Sequence, residues 1–252
     1  MASKKYRDKL CVYCVERKST TADHVFCREF FLTEHRNNLP KAPACAECNG
    51  RKSALEHYLT AVLPFGGRHT HASVQLETMV PGRVEKNQAL LRQLQAGQRP
   101  ALEMQGGILL PTSTLPFHGE SLESLFSMVV RGLIWHHFSV YLPAEYFVKV
   151  FMATPEGEQA FDRNIFALNT PNRVHGNLGD GTFIYEGVQV VDTPASTGWR
   201  ITAMGGVRLG GDRRMPNAVT SKIIGFSAHR RILDAESRKL LFGGAVPPPV
   251  AA

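Results

Sequence analysis

Two Cys-x2-Cys pairs, Cys11-Val12-Tyr13-Cys14 and Cys45-Ala46-Glu47-Cys48, constrain this chain more than any other feature. Each pair offers two thiolates from a tight turn, and two pairs complete a tetrahedral four-sulfur site, the usual structural geometry for Zn2+. Four thiolates leave no open coordination position, so this metal is expected to hold structure and not to catalyse. The pairs are separated by 30 residues, whereas a minimal zinc ribbon has about 15–20. The insert must therefore carry structure of its own, and any chemistry must come from it or from the segment after Cys48. All five cysteines lie in the first 48 of 252 residues. That asymmetry predicts an N-terminal module ending near Val62, where Leu63-Pro64-Phe65-Gly66-Gly67 reads as a breaker.

Composition narrows the remainder. At 43% hydrophobic and 20% charged, the chain can bury a core, which excludes wholesale disorder and fibrous repeats. Lys and Arg number 29 against 22 Asp and Glu, a net charge of +7. Residues 1–60 hold eleven basic and seven acidic side chains, so more than half of that excess sits in under a quarter of the length. This points to a polyanionic partner. The most apolar run, residues 122–142, is interrupted by Arg131, His136 and His137, which argues for a buried helix over a membrane span. The basic N-terminus is followed by no apolar stretch, so no signal peptide is expected. A cytoplasmic location follows, with no membrane partner and with thiols in place of disulfides.

Beyond the first module, residues 83–96 read as a polar helix with Leu90, Leu91 and Leu94 on one side. Residues 100–118 read as extended, and the long apolar helix runs from a Ser121 cap to Tyr141, stopped by Pro143. One or two helices are expected over 144–168. Three strand-like stretches, 182–193, 199–209 and 222–228, are separated by turn residues and predict an antiparallel meander on the long helix. The fold class is thus α+β, with residues 1–62 as one module, 63–242 as a helix-plus-antiparallel-sheet domain of unassigned role, and 243–252 as a disordered tail. Trp135 and Trp199 read as core, His136 and His137 as core or interface. His57 reads as solvated, and His69 and His71 as loop residues. Arg208, Arg213, Arg214, Arg230 and Arg231 are balanced between a phosphate-contacting patch and solvated turns.

The insert contains Asp23-His24, and the second pair is followed by Asn49-Gly50-Arg51-Lys52-Ser53. On a helix starting near Cys48, Asn49, Lys52 and Glu56 share one face. The order of Cys-x2-Cys, Asp-His, Asn-Leu, Cys-x2-Cys-Asn and Lys-Ser over residues 8–60 resembles the HNH endonuclease family in its zinc-knuckle form. The resemblance implies a ββα-metal module of two strands and a helix gripping one divalent ion, Mg2+ or Mn2+, in addition to the structural zinc. It implies Asp23 and Asn49 as ligands of that ion and His24 as the general base. Asn38, or else Asn37, would orient the histidine, and Lys52 and Arg51 would touch phosphate. An imidazole that titrates near 6.5 suits proton abstraction at neutral pH, and a hard cation on oxygen donors suits phosphoester hydrolysis. Ideal strand alternation turns Asp23 and His24 to opposite faces, which weighs against Asp23 as a direct ligand. The position three residues after His24, often proline in the family, is Cys27, which reads as a small buried side chain. The expected activity is hydrolysis of nucleic acid, DNA first. The competing readings are a zinc-ribbon binding module without catalysis, and a nuclease subunit active only with a partner protein. Residues 63–242 are left to select DNA, bind that partner or form a homo-oligomer.

Overall fold

The structure, a computed structural model, describes residues 5–168, 171–208, 219–220 and 222–232. The tail at 243–252 and the arginines at 213 and 214 lie outside the described residues. It is a mixed helix-and-sheet fold. The N-terminal part is an antiparallel pair, β1 (Thr21–His24) with β2 (Lys41–Ala44), followed at once by the 21-residue helix α1 (Ala46–Gly66). Between the two strands the chain makes short helical turns at Arg28–Phe30 and Thr33–His35.

Helices α2 (Thr70–Thr78), α3 (Val80–Lys86) and α4 (Gln88–Gly97) come next. The single polar helix expected over 83–96 is therefore two. The break falls at Asn87, whose side chain accepts the Leu90 N–H at 3.1 Å and so caps α4 in place of continuing α3. The extended stretch is a hairpin, β3 (Arg99–Gln105) with β4 (Ile108–Thr114). Helix α5 (Gly119–Phe138) ends three residues earlier than expected, because Ser139 turns left-handed (φ 57°) and caps it.

The second sheet has five antiparallel strands. They are β5 (Tyr146–Met152), β6 (Arg173–Leu178), β7 (Phe183–Gln189), β8 (Thr197–Ala203) and β11 (Ile223–His229), in the order β5-β11-β8-β7-β6. Two short strands, β9 (Val207–Arg208) and β10 (Val219–Thr220), pair beside it. The meander and its packing on α5 are as expected. The first part of the helical stretch expected over 144–168 is β5, and the helix begins only at Pro155, as α6 (Pro155–Phe161), continued by a π-helical turn at Asp162–Phe166. Phe147 and Val150, buried on opposite faces of β5, lie across from Ala228 and Gly225 of β11, and that pairing overrides the local helical signal.

The boundary expected at Val62 falls inside α1, which carries Pro64 in its last turn and reaches Gly66. The two parts also share one hydrophobic core. Phe26, Phe30 and Phe31 from the N-terminal part surround Phe183 of β7, with ring centroids 5.1–5.6 Å away. Phe26 also stacks on Tyr185. Such aromatic pairs add about 0.5–1.5 kcal/mol each beyond their burial. Helix α5 comes so near the end of β1 that a Cβ on Gly132 would lie 2.8 Å from Val25 Cγ2. Replacing Gly132 by Val should therefore overpack this seam and cost roughly 1–3 kcal/mol, read as a lowered midpoint in thermal unfolding.

His137 lies behind this core, 2.9 Å from the Tyr185 hydroxyl and against Trp199, with His136 beside it. Burial first, then the charge of His136, pulls its pKa from 6.5 down to about 4. The fold thus binds this proton less readily than the unfolded chain does, so stability is full above pH 6.5 and declines as pH falls toward 4. Urea unfolding between pH 7.5 and 4.5 should show that decline, and His137→Gln should flatten it.

Candidate functional site

The four cysteines of the two pairs converge as the spacing predicts. The Sγ atoms of Cys11, Cys14, Cys45 and Cys48 all lie within 4.8 Å of one another, close enough to share one metal ion. Local hydrogen bonding shapes each turn. In the first, the Cys11 N–H donates to Arg17 O and the Val15 N–H to Cys11 O, both at 2.8 Å, with Val15 left-handed (φ 55°). In the second, Cys45 is the cap of α1, its sulfur accepting the Cys48 N–H at 3.5 Å. A helix N-terminus favours a thiolate. Burial opposes ionisation of Cys45, but the Cys48 N–H and the adjoining thiols prevail and bring its pKa down to about 7. The first turn is tied to the second through β2: the Val12 N–H donates to Pro43 O at 3.0 Å and the Thr20 N–H to Ala44 O at 2.9 Å.

The fifth cysteine stands apart from this set. Burial, then the nearby Glu56 carboxylate, pushes the Cys27 thiol up to about 12, so it stays protonated and packs as a small apolar group.

Lys52 departs from expectation. Its side chain is 0% exposed, and its ammonium points inward. It donates to Glu56 Oε1 at 2.6 Å and to His24 O at 2.7 Å, and it pairs with Asp23 Oδ2 at 3.0 Å. The Tyr13 hydroxyl, inside the first cysteine turn, donates to the same Asp23 oxygen. All three ammonium protons are thus engaged, and the phosphate contact expected of Lys52 does not occur in this geometry. Burial works against the lysine charge, but the carboxylates of Asp23 and then Glu56 outweigh it and raise its pKa. That contribution is full below 10.5, the ordinary lysine value, and is lost only as pH rises above it. Burial likewise raises Tyr13 well above 10, with Asp23 adding to the effect, so the phenol remains a donor.

Strand alternation divides the Asp-His pair as the sequence predicts. Asp23 is buried beneath β1, and His24 is half-buried on the other side. Burial lowers the His24 pKa, and the positive charges of Lys41 and Arg28 lower it further. The ring is therefore neutral at pH 7 within a basic neighbourhood. Asn49 lies half-buried in the first turn of α1, and Arg51 is exposed there, its Nη2 3.7 Å from Cys48 Sγ. Asn38 is exposed in the turn before β2, left-handed at φ 56°, a conformation that asparagine tolerates well. Among the described residues no hydrogen bond joins it to His24. The structure thus brings Asp23, Lys52 and the His24 backbone together, and it leaves Asn38 and Arg51 outside that cluster.

Searches against protein-family models, curated proteins and solved structures find no match to this chain. The site must be read from its own residues. Sequence reasoning missed Tyr13 and assigned Glu56 no partner. The i, i+4 spacing of Lys52 and Glu56 was the available signal for the ion pair, whereas nothing in the sequence pairs Tyr13 with Asp23. Lys52→Met should leave two carboxylates without their cation and cost roughly 3–5 kcal/mol. Chemical unfolding should show the deficit largest at pH 7. It should shrink as pH falls, because burial raises the pKa of Glu56 and so eases its protonation.

Proposed function

We propose that the chain is a metal-dependent endonuclease of the HNH type, hydrolysing phosphodiester bonds of nucleic acid, DNA foremost. The four-cysteine site holds a structural zinc, as closed sulfur sites commonly do. The observation that carries this reading is the setting of His24. It is an imidazole kept neutral by burial and by Lys41 and Arg28, on the strand of a ββα arrangement, within reach of solvent. The same positive charges that keep the ring unprotonated attract a phosphodiester, so binding and base strength are served together. His24 accepts a proton from water. Arg51 and Lys41 provide positive charge for the phosphate, and Lys52 acts from beneath as a positioning residue by holding the His24 carbonyl.

A hard divalent ion, Mg2+ or Mn2+, fits the oxygen chemistry of the Asn49 amide, whereas Asp23, buried beneath β1 away from His24 with its Oδ2 held by Tyr13 and Lys52, would support that site from behind and would not itself ligate an ion beside His24. When bound, the ion supplies charge neutralisation at the phosphate and the leaving oxygen. The Asp23–Lys52 ion pair favours a second reading, in which the same frame binds nucleic acid without cutting it, because it commits part of the carboxylate to a cation already in place.

Plasmid incubated with Mg2+ or Mn2+ should be nicked or linearised, and EDTA should stop the reaction. His24→Ala should keep its zinc and fold and lose about 10²–10⁴-fold in rate. The acid limb of the wild-type pH–rate profile should lie below 6.5, since a base with a lowered pKa stays unprotonated further into acid. Binding without cleavage under every divalent ion would establish the second reading.

A further inference from the structure

Away from the cysteines, three segments that are distant in sequence meet at one point. His35 ends the short helical turn Thr33–His35, His71 lies in the first turn of α2, and Asp180 sits in the tight turn between β6 and β7. The donor atoms of these three side chains all lie within 4.8 Å of one another. The rings of His35 and His71 stack at 4.7 Å.

The hydrogen bonds around His71 fix which of its nitrogens is free. The buried Thr182 hydroxyl has one proton and donates it to Gly179 O at 2.6 Å. Its contact of 2.9 Å with His71 Nδ1 must therefore be an acceptance from Nδ1–H. The lone pair of His71 is then on Nε2. Metal-ligating histidines are held in just this way, by an oxygen acceptor on the nitrogen opposite the metal. His69 is arranged otherwise. Its Nδ1 accepts the His71 N–H at 3.2 Å, so the neutral ring carries its proton on Nε2, beside Gly181. It flanks the group with its edge toward His71 and does not join the ligand set.

The turn that delivers Asp180 is built at some conformational cost. Gly179, Asp180 and Gly181 are consecutively left-handed, at φ 59°, 51° and 85°. The Asn177 side chain receives the Gly181 N–H at 2.7 Å and holds the shape. A Cβ on Gly179 would lie 2.2 Å from Phe31 Cδ1, so the turn is seated on the segment that carries His35. An aspartate at positive φ is uncommon enough to ask what it serves.

We propose that His35, His71 and Asp180 form a second metal site, for a divalent transition ion of the zinc class, fastening the loop between β1 and β2 and the start of α2 to the β6–β7 turn. Two imidazoles and one carboxylate suit such an ion. Three protein ligands leave at least one position for water, unlike the closed cysteine set. Thr182 is a positioning residue that holds the His71 tautomer.

The test is Zn2+ binding by the full chain, measured against a chromophoric chelator, with wild type and His71→Ala compared. The quantity that decides is the difference between them, whatever the cysteine site holds. Wild type should bind one equivalent more than His71→Ala and one more than Asp180→Asn, and Zn2+ should raise its melting temperature more than theirs. Thr182→Val should weaken that equivalent about 10–100-fold, and Thr182→Ser, which restores the acceptor, should recover it. Circular dichroism of each variant as purified checks the fold, and two independent ligand variants guard against loss of either one. Equal stoichiometry in wild type and in both folded variants overturns the site. A Thr182→Ser variant as weak as Thr182→Val overturns the tautomer argument.

Discussion

The buried ammonium of Lys52 is the interaction on which the N-terminal part depends. One side chain from α1 reaches the backbone of β1 at His24, the Asp23 carboxylate beside it, and Glu56 one turn along its own helix. Through Asp23 and Tyr13 the same network extends to the first cysteine turn. Removing a lysine charge from water is expensive, and only a full set of partners makes it tolerable. Strand, helix and cysteine turn must therefore be in register before the charge can be buried at all. The network acts as a check on assembly as much as a source of stability.

That arrangement divides the work of β1 by the simple alternation of a strand. The inward side chain, Asp23, anchors, and the outward one, His24, is left facing solvent. The next two residues, Val25 and Phe26, enter the common core beneath α5. His24 is thus held by its neighbours on both sides in the chain, by the ionic contacts of Asp23 before it and the apolar packing of Val25 and Phe26 after it. Rigid support of this kind is what the base proposed at His24 would require.

The cysteine frame, the long apolar helix and the three central strands were legible in the sequence because each has a strong local signature: paired ligands, the apolar run over residues 122–142, and β-branched and aromatic clusters between turns. The orientation of Lys52 was not. Lysine is rarely buried, and only the convergence of residues 23, 24 and 56 in space reverses that expectation. Strand β5 was hidden for a related reason, since it carries no clean alternation of its own and is defined by pairing with β11, more than 70 residues further on. His69 and His71, read as loop residues, cap and open α2. The cluster of His35, His71 and Asp180 left no trace, because its members come from three segments with no common motif.

The aromatic seam has a consequence for how the chain is made. Phe26, Phe30 and Phe31 are synthesised more than 150 residues before Phe183, the ring they enclose. At ordinary elongation rates of about 5–20 residues per second, that interval is on the order of 8–30 s. Throughout it the nascent N-terminus lacks the ring that these three phenylalanines enclose, which leaves an incomplete apolar surface on which neighbouring nascent chains can associate. The cysteine turns and α1 are complete long before, so a metal captured at that stage gives the emerging chain a folded end while it waits for its sheet.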